Sequence, residues 1–420
     1  MLEVGLRAAL YQEGCQVLQQ LLQDFIDRFD QSYELTRPGY ACWGRSSLDV
    51  RTLFGTVGVR RDYYYNGQGG FFPADLALGL EGKLTPELAR LMCYGGSQGA
   101  YEQASQDLQE YAGIAVEGRL IQRLVQTVGP AVEPWLAQEP TVPPPVATPQ
   151  FYVSYDGTGV PMRPVELRGR KGKQPDGSAK TREIKLGCVF TQHGVDAQGH
   201  PLRDPDATTY VASFLPAVDF GLLLRQEAYR RGMPQAQQVI VLGDGALWIW
   251  EQARLNFGGA LEILDFYHAL EHVNQLADLI YGEGNPSTKT IKSRWKKLLL
   301  KDQVGKIIAV AEDHLPPAAG LRKQAEGQIA YLATNRARMQ YGTYRKAGYF
   351  IGSGVIEAGC KTVIGMRAKQ SGMKWSESGA GNVLNLRCLV ASRRLKKFFG
   401  DRLKSKQSEV QFDGTRTLTE

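Results

Sequence analysis

Beyond residue 149 the chain alternates short apolar runs with stretches of helical period. QFYVSYD (150–156) reads as a strand ending in Asp156, and EIKLGCVFTQ (183–192) and TTYVASF (208–214) read as two more. VDFGLLLRQEAYRRGM (218–233) has the spacing of an amphipathic helix. Val239 to Leu242 (VIVL) is apolar throughout, the pattern of a strand buried on both faces, and it runs straight into Asp244 between two glycines. ALWIWEQARLNF reads as a helix, ALEIL as a strand ending at Asp265, and YHALEHVNQLADLIY as a helix. The order β-β-β-α-β-α-β-α predicts antiparallel strands followed by βαβ crossovers, which is a mixed sheet with helices on its faces.

The first third has a different pattern. LRAALYQEGCQVLQQLLQDFIDRF reads as a long amphipathic helix and RTLFGTVGVRRDYYYN as a small hairpin. YEQASQDLQEYAGIAVEGRLIQRLVQTVG gives two helices broken at Gly113, with Ala104, Leu108, Ile114, Ile121 and Leu124 facing inward. That spacing fits a helix-turn-helix whose second helix spans about 117–128, with Arg119 and Arg123 as expected DNA contacts, and an ordinary pair of packed helices gives the same pattern. The proline-rich segment 134–149 reads as a linker, and 401–420 as a polar, frayed tail.

The net charge of +7 is unevenly spread. Residues 168–185 carry seven basic against two acidic side chains, 285–306 seven against one, and 361–406 twelve against two. Together these segments hold +21, leaving −14 elsewhere. Segregation of this kind predicts a surface for a polyanion, since neutralising phosphates supplies most nucleic-acid affinity. Lys171, Arg182, Lys361, Arg367 and Lys369 are the expected phosphate contacts. Six cysteines stand far apart without a CxxC pair, which argues against a zinc ribbon and for reduced thiols. With no 18-residue apolar run and no signal-like N-terminus, the expectation is a cytoplasmic, nucleoid-associated protein.

The candidate chemistry is acidic. Asp156 and Asp244 each close an apolar strand, in YDGTG and GDGA, where glycine lets the backbone turn and a ligand approach. Two such carboxylates side by side repel unless a divalent ion neutralises them, and magnesium suits hard oxygen donors. Glu357 falls in the first turns of a helix in GSGVIEAGCKTVIGMRAKQSGMKWS, with Ser353 as the expected N-cap.

Together the motifs YDGTGVP, VLGDGALWIW, LDFYHALEHV and GSGVIEAGCKTVIGMRAKQSGMKWS resemble the DDE transposases of bacterial insertion sequences, specifically the ISKra-type group related to the Mutator-like superfamily. The resemblance spans roughly Leu91 to Phe399. It implies an α/β fold: a ribonuclease-H-like mixed sheet with flanking helices in residues 150–400, a helical insertion at about 282–350, and a mainly helical DNA-binding region in 1–133. It implies Asp156, Asp244 and Glu357 as the triad holding two Mg²⁺ ions (Mn²⁺ could substitute), with cutting of element ends and joining to target DNA. Asp265-Phe266-Tyr267-His268 resembles a motif found after the second acid in related superfamilies, which would set His268 near the scissile phosphate as a catalytic residue. A homodimer or larger assembly on DNA is also implied. The group often carries paired N-terminal cysteines; here the corresponding stretch, DYYYNGQGGFFPADLALGL, has none, and Cys42 stands alone.

Other readings compete. HALEH (268–272) matches the H-x-x-E-H zinc protease signature. A former transposase kept as a silent DNA-binding protein would show the same motifs. Tyr63, Tyr64 and Tyr65 invite a tyrosine-recombinase reading, against which the arginine and histidine partners of such a nucleophile are not evident.

Overall fold

The computed structural model describes residues 2–138, 149–172 and 174–411. The chain divides into two compact units, one comprising Met1–Trp135 with Asn382–Glu420 and the other Leu136–Gly381. The boundary expected at residue 400 therefore moves to 381, and the C-terminal segment belongs with the N-terminal region.

In the first unit a helix over Leu2–Ser32 precedes a three-stranded sheet of β1 (Ala41–Arg51), β2 (Thr56–Tyr65) and β3 (Gly70–Phe71). The hairpin is longer than its sequence pattern predicts. ACWGRSSLDVR pairs along all of β2, yet most of it is exposed, so it lacks the apolar alternation that marks a strand. Its core is Val50, Val57 and Val59 against Ile26 and Phe29 of the long helix. Aromatics and cations close the other end. Tyr63 packs on Phe72 and Tyr64 on Phe71, while the guanidinium groups of Arg37 and Arg61 lie over Phe71 and Phe72. The tyrosine triplet is thus packing material, and no disulfide joins the six cysteines.

Helices Pro86–Gln98, Tyr101–Ala112 and Gly118–Val128 pack on one another. Gly113 makes the turn between the last two at φ +66°, where a side chain is strained. Ala104, Ile114, Ile121 and Leu124 are buried as expected, and Leu108 is half-buried. Residues 139–148 of the expected linker lie outside the described residues, and Val132–Gln138 is helical.

The segment expected to fray is ordered through a helix at Leu395–Ser408. Leu395, Phe398 and Phe399 are buried, and the polar residues are anchored. Arg402 and Lys406 both pair with Glu81, whose side chain is 7% exposed. Residues 412–420 lie outside the described residues.

The second unit is built on a six-stranded mixed sheet. β4 (Gln150–Pro161) pairs antiparallel with β5 (Thr181–Val195), which pairs antiparallel with β6 (Pro201–Arg203) and β7 (Thr209–Ser213). On the other side β4 runs parallel to β8 (Gln238–Gly243), and β8 parallel to β9 (Leu261–Leu264). Ile240, Val241, Leu242, Ile263 and Leu264 are essentially inaccessible, each such side chain contributing about 1.5–3 kcal/mol on burial. Neighbouring residues of β5 reveal two covered faces. A Cβ on Gly187 would sit 2.7 Å from Leu224 of the Ala217–Arg230 helix. A Cβ on the Gly354–Gly359 helix, at Gly359, would sit 3.0 Å from Leu186. Since side chains alternate along a strand, these helices lie on opposite faces. Between β9 and the last of these helices come five α-helices, Phe266–Tyr281, Pro286–Leu299, Val304–Asp313, Ala319–Thr334 and Tyr341–Lys346.

Replacing Glu81 with alanine should destabilise the first unit by about 2–4 kcal/mol, because two partly buried cations lose their shared anion. Limited proteolysis within 395–408 should accelerate in step. Unchanged cleavage and an unchanged denaturation midpoint would show that the helix is held by its apolar residues alone.

Candidate active site

Strand register assembles the site. The parallel ladder pairs Ser154 with Leu242, and Gly243 with Leu264. Extending each by the remaining residues brings Asp156, Asp244 and Asp265 to neighbouring positions across three adjacent strands. Asp244 and Asp265 follow the carboxyl ends of β8 and β9, where open α/β sheets place ligands, whereas β4 does not end at Asp156 as its sequence predicts but runs on to Pro161, paired with β5.

Each aspartate is fixed differently. Asp156 accepts from the Gly157 amide at 2.6 Å and from the Cys360 thiol. Burial raises its pKa, the two hydrogen bonds oppose this, and the charge of Asp244 pushes it further up. Asp244 Oδ1 accepts from the Ala246 amide at 2.9 Å, closing a tight turn through Gly245 at φ +98°. Its carbonyl accepts at 2.9 Å from the hydroxyl of Tyr331, on the Ala319–Thr334 helix.

Asp265 is fully buried and caps the Phe266–Tyr281 helix, accepting from the His268 amide at 2.7 Å. It also meets His268 Nδ1 at 3.1 Å and accepts from the Ser353 amide. Burial opposes its ionisation, and these hydrogen bonds outweigh burial, so its pKa lies below the usual carboxylate range. The pKa of His268 rises to about 9, chiefly through Asp265, with burial opposing and Asp244 and Glu271 adding to the rise. The ring is therefore an imidazolium at neutral pH.

Glu357 approaches from the Gly354–Gly359 helix. Ser353 does not cap that helix through its side chain; its hydroxyl donates to Glu357 Oε1 at 2.7 Å. One residue thus links two acids, its amide on Asp265 and its hydroxyl on Glu357. Ligand atoms of Asp265, His268 and Glu357 all lie within 4.8 Å of one another. The helix continues into a π-turn at Cys360–Gly365, a form that recurs at functional sites and here begins at the thiol bonded to Asp156.

Asp265 received no role of its own in the sequence reading, although it closes the third apolar strand as Asp156 and Asp244 close theirs. Tyr331 had no sequence signal, since it comes from a helix 87 residues beyond Asp244. The second histidine of HALEH serves packing. His272 stacks on Tyr331 with ring centroids 3.7 Å apart, and its Nδ1 lies 2.5 Å from Gln328 Oε1. Among the described residues the cluster of Asp265, His268 and Glu357 includes neither His272 nor Asp156 and Asp244.

The expected phosphate contacts separate into two groups. Lys171, Lys361 and Lys369 are exposed, as are Arg119 and Arg123 on the Gly118–Val128 helix. Lys369 Nζ donates to Thr158 Oγ1 on the strand that carries Asp156. Arg182 pairs with Glu377 and packs near Phe214, so its charge is largely committed. Arg367 contradicts its expected role: it is fully buried, its guanidinium 4.8 Å from the Trp375 ring centroid. A planar cation with an apolar stem tolerates such a place, so a basic run does not by itself mark a surface.

No family model matches this chain, and no curated protein matches it. The solved Drosophila P element transposase strand transfer complex is similar to it at 11% identity with a TM-score of 0.27, over 82% of this chain and 86% of that one. No helix among the described residues is long and apolar enough to cross a membrane.

The Asp265–His268 pair has a testable sign. Because the folded-state pKa of His268 is raised, its stabilisation is complete below about 6.5, the ordinary histidine value, and is lost as pH rises through about 9. In Asp265→Asn, NMR titration should find the His268 pKa back near the ordinary range or below it. A value still near 9 would mean that Asp265 is not its cause.

Proposed function

We propose that this chain is a divalent-cation-dependent DNA transposase with a ribonuclease-H-like catalytic sheet, of the DDE kind that its motifs resemble. The observation that carries the reading is the register that brings Asp156, within β4, alongside Asp244, just past the end of β8, with Glu357 held beside Asp265 and His268. The donor chemistry fits magnesium or manganese: hard carboxylate oxygens, one of them with a pKa raised by burial and by its acidic neighbour. Asp156, Asp244 and Glu357 would hold the metal. Bound there, it would activate water or a 3′-hydroxyl for attack on a phosphodiester and stabilise the leaving oxygen.

The protein's own residues supply the rest. Asp156 offers its oxygens from within β4 and Asp244 from the turn after β8, so little reorganisation would accompany reaction. Ser353 orients Glu357 through its hydroxyl, and Asp265 keeps His268 cationic. An imidazolium there would neutralise charge developing on the scissile phosphate. Lys171, Lys361 and Lys369 would position the backbone, and Arg119 and Arg123 would contact the element's terminal repeats as a homodimer or larger assembly brings two ends together.

The test is strand cleavage of DNA bearing the element's own ends, in magnesium and in its absence. Alanine at Asp156, Asp244 or Glu357 should each reduce cleavage to background while DNA affinity stays within about twofold, since the phosphate contacts are untouched. Cutting by any one variant at the parental rate would refute the assignment. A parental protein that binds the ends without ever nicking them would instead mark a DNA-binding descendant that has lost the chemistry.

A further inference from the structure

Beside the carboxylate cluster lies a second feature that the proposed chemistry leaves unused. A cavity of about 1040 Å³ opens between the loop over 347–354 and the start of the Phe266–Tyr281 helix. Its rim carries His200, Arg345 and Lys346, and no acidic side chain lines it among the described residues. Tyr349 and Phe350 contribute half-buried aromatic surface, and Tyr267 stands 65% exposed at its edge. An exposed tyrosine beside a fully buried aspartate calls for a partner. Its aromatic neighbour Phe266 lies at 74° to it with ring centroids 5.5 Å apart.

The wall is continuous with the acid site. Ile351 accepts from the Phe266 amide at 2.9 Å, and Gly348 from Gln192 Nε2 at 2.7 Å, so the loop is tied to the helix start and to β5. Gly352 is the dividing point. A Cβ there would lie 3.4 Å from the Tyr267 ring and 3.6 Å from Asp265 Oδ2. Whatever occupies the cavity therefore lies one residue's thickness from the carboxylates.

We infer that this cavity holds an unpaired DNA strand adjoining the bond to be cut, with one base stacked on Tyr267 and its phosphates met by Arg345 and Lys346. A polyanion is favoured because the rim is basic and lacks acids. An unpaired strand is favoured over a duplex because an exposed ring beside a concave, partly apolar wall matches the face of an unstacked base, not the outside of a helix. The inference rests on the nuclease reading for its position in the reaction, and not for binding itself.

The test is fluorescence anisotropy with the full chain and no divalent ion, so that no chemistry occurs, using a labelled oligothymidine and a duplex of the same length. Tyr267→Ala should weaken oligothymidine binding by about tenfold, since stacking on an aromatic carries that much per base, and leave duplex binding unchanged. Tyr267→Phe, which keeps the ring, should bind as the parent does. Arg345→Ala with Lys346→Ala should weaken the single strand and flatten its salt dependence. Unchanged single-strand affinity in Tyr267→Ala, or equal losses for strand and duplex, would overturn the inference. In either case metal-dependent nicking, measured separately, stands or falls on Asp156, Asp244 and Glu357.

Discussion

Everything at the candidate site depends on the parallel pairing of β4, β8 and β9. Side chains alternate along a strand, so a slip of one residue would turn Asp156 or Asp244 to the opposite face and part the carboxylates. The register is held by apolar side chains with almost no exposure, Tyr152 to Val153 on one strand and Ile240 to Leu242 on the next. The hydroxyl of Ser154 adds a cross-strand bond to the Leu242 carbonyl at 2.9 Å, two residues before the acids. Core packing and site geometry are therefore one constraint.

That arrangement concentrates negative charge, and the structure offsets it from its own resources. Asp265 is ionised and fully buried, which is tolerable only because His268 and two backbone amides meet it. Ser353 joins this group to Glu357, and Cys360 joins the same helix to Asp156. Tyr331 reaches from the insertion to the Asp244 carbonyl. The Ala319–Thr334 helix is thus part of the support of the acid loop.

Much of this sheet was legible in the chain. Val239 to Leu242 is unbroken apolar sequence ending in Gly-Asp-Gly, and helices with a clear 3.6-residue period follow it closely. Strand β1 was not legible, because its residues are mostly exposed and polar, and β6 is only three residues beginning at proline. The C-terminal helix was hidden by its lysines, whose pairing with Glu81 is a long-range fact. Arg367 misled for the same reason in reverse: its cationic neighbours in sequence are exposed while it stacks inside on Trp375. Within the site, Asp156, Asp244 and Glu357 were visible as motifs, whereas the clustering of Glu357 with Asp265 and the reach of Tyr331 are products of packing.

The central claim is that carboxylates from β4, the β8 turn and the Gly354–Gly359 helix share a divalent ion. Anomalous diffraction from crystals of this protein soaked in Mn²⁺ measures this directly. The account predicts manganese density touching Asp156, Asp244 and Glu357 together. Density confined to Asp265, His268 and Glu357, with Asp156 and Asp244 unliganded, would contradict it.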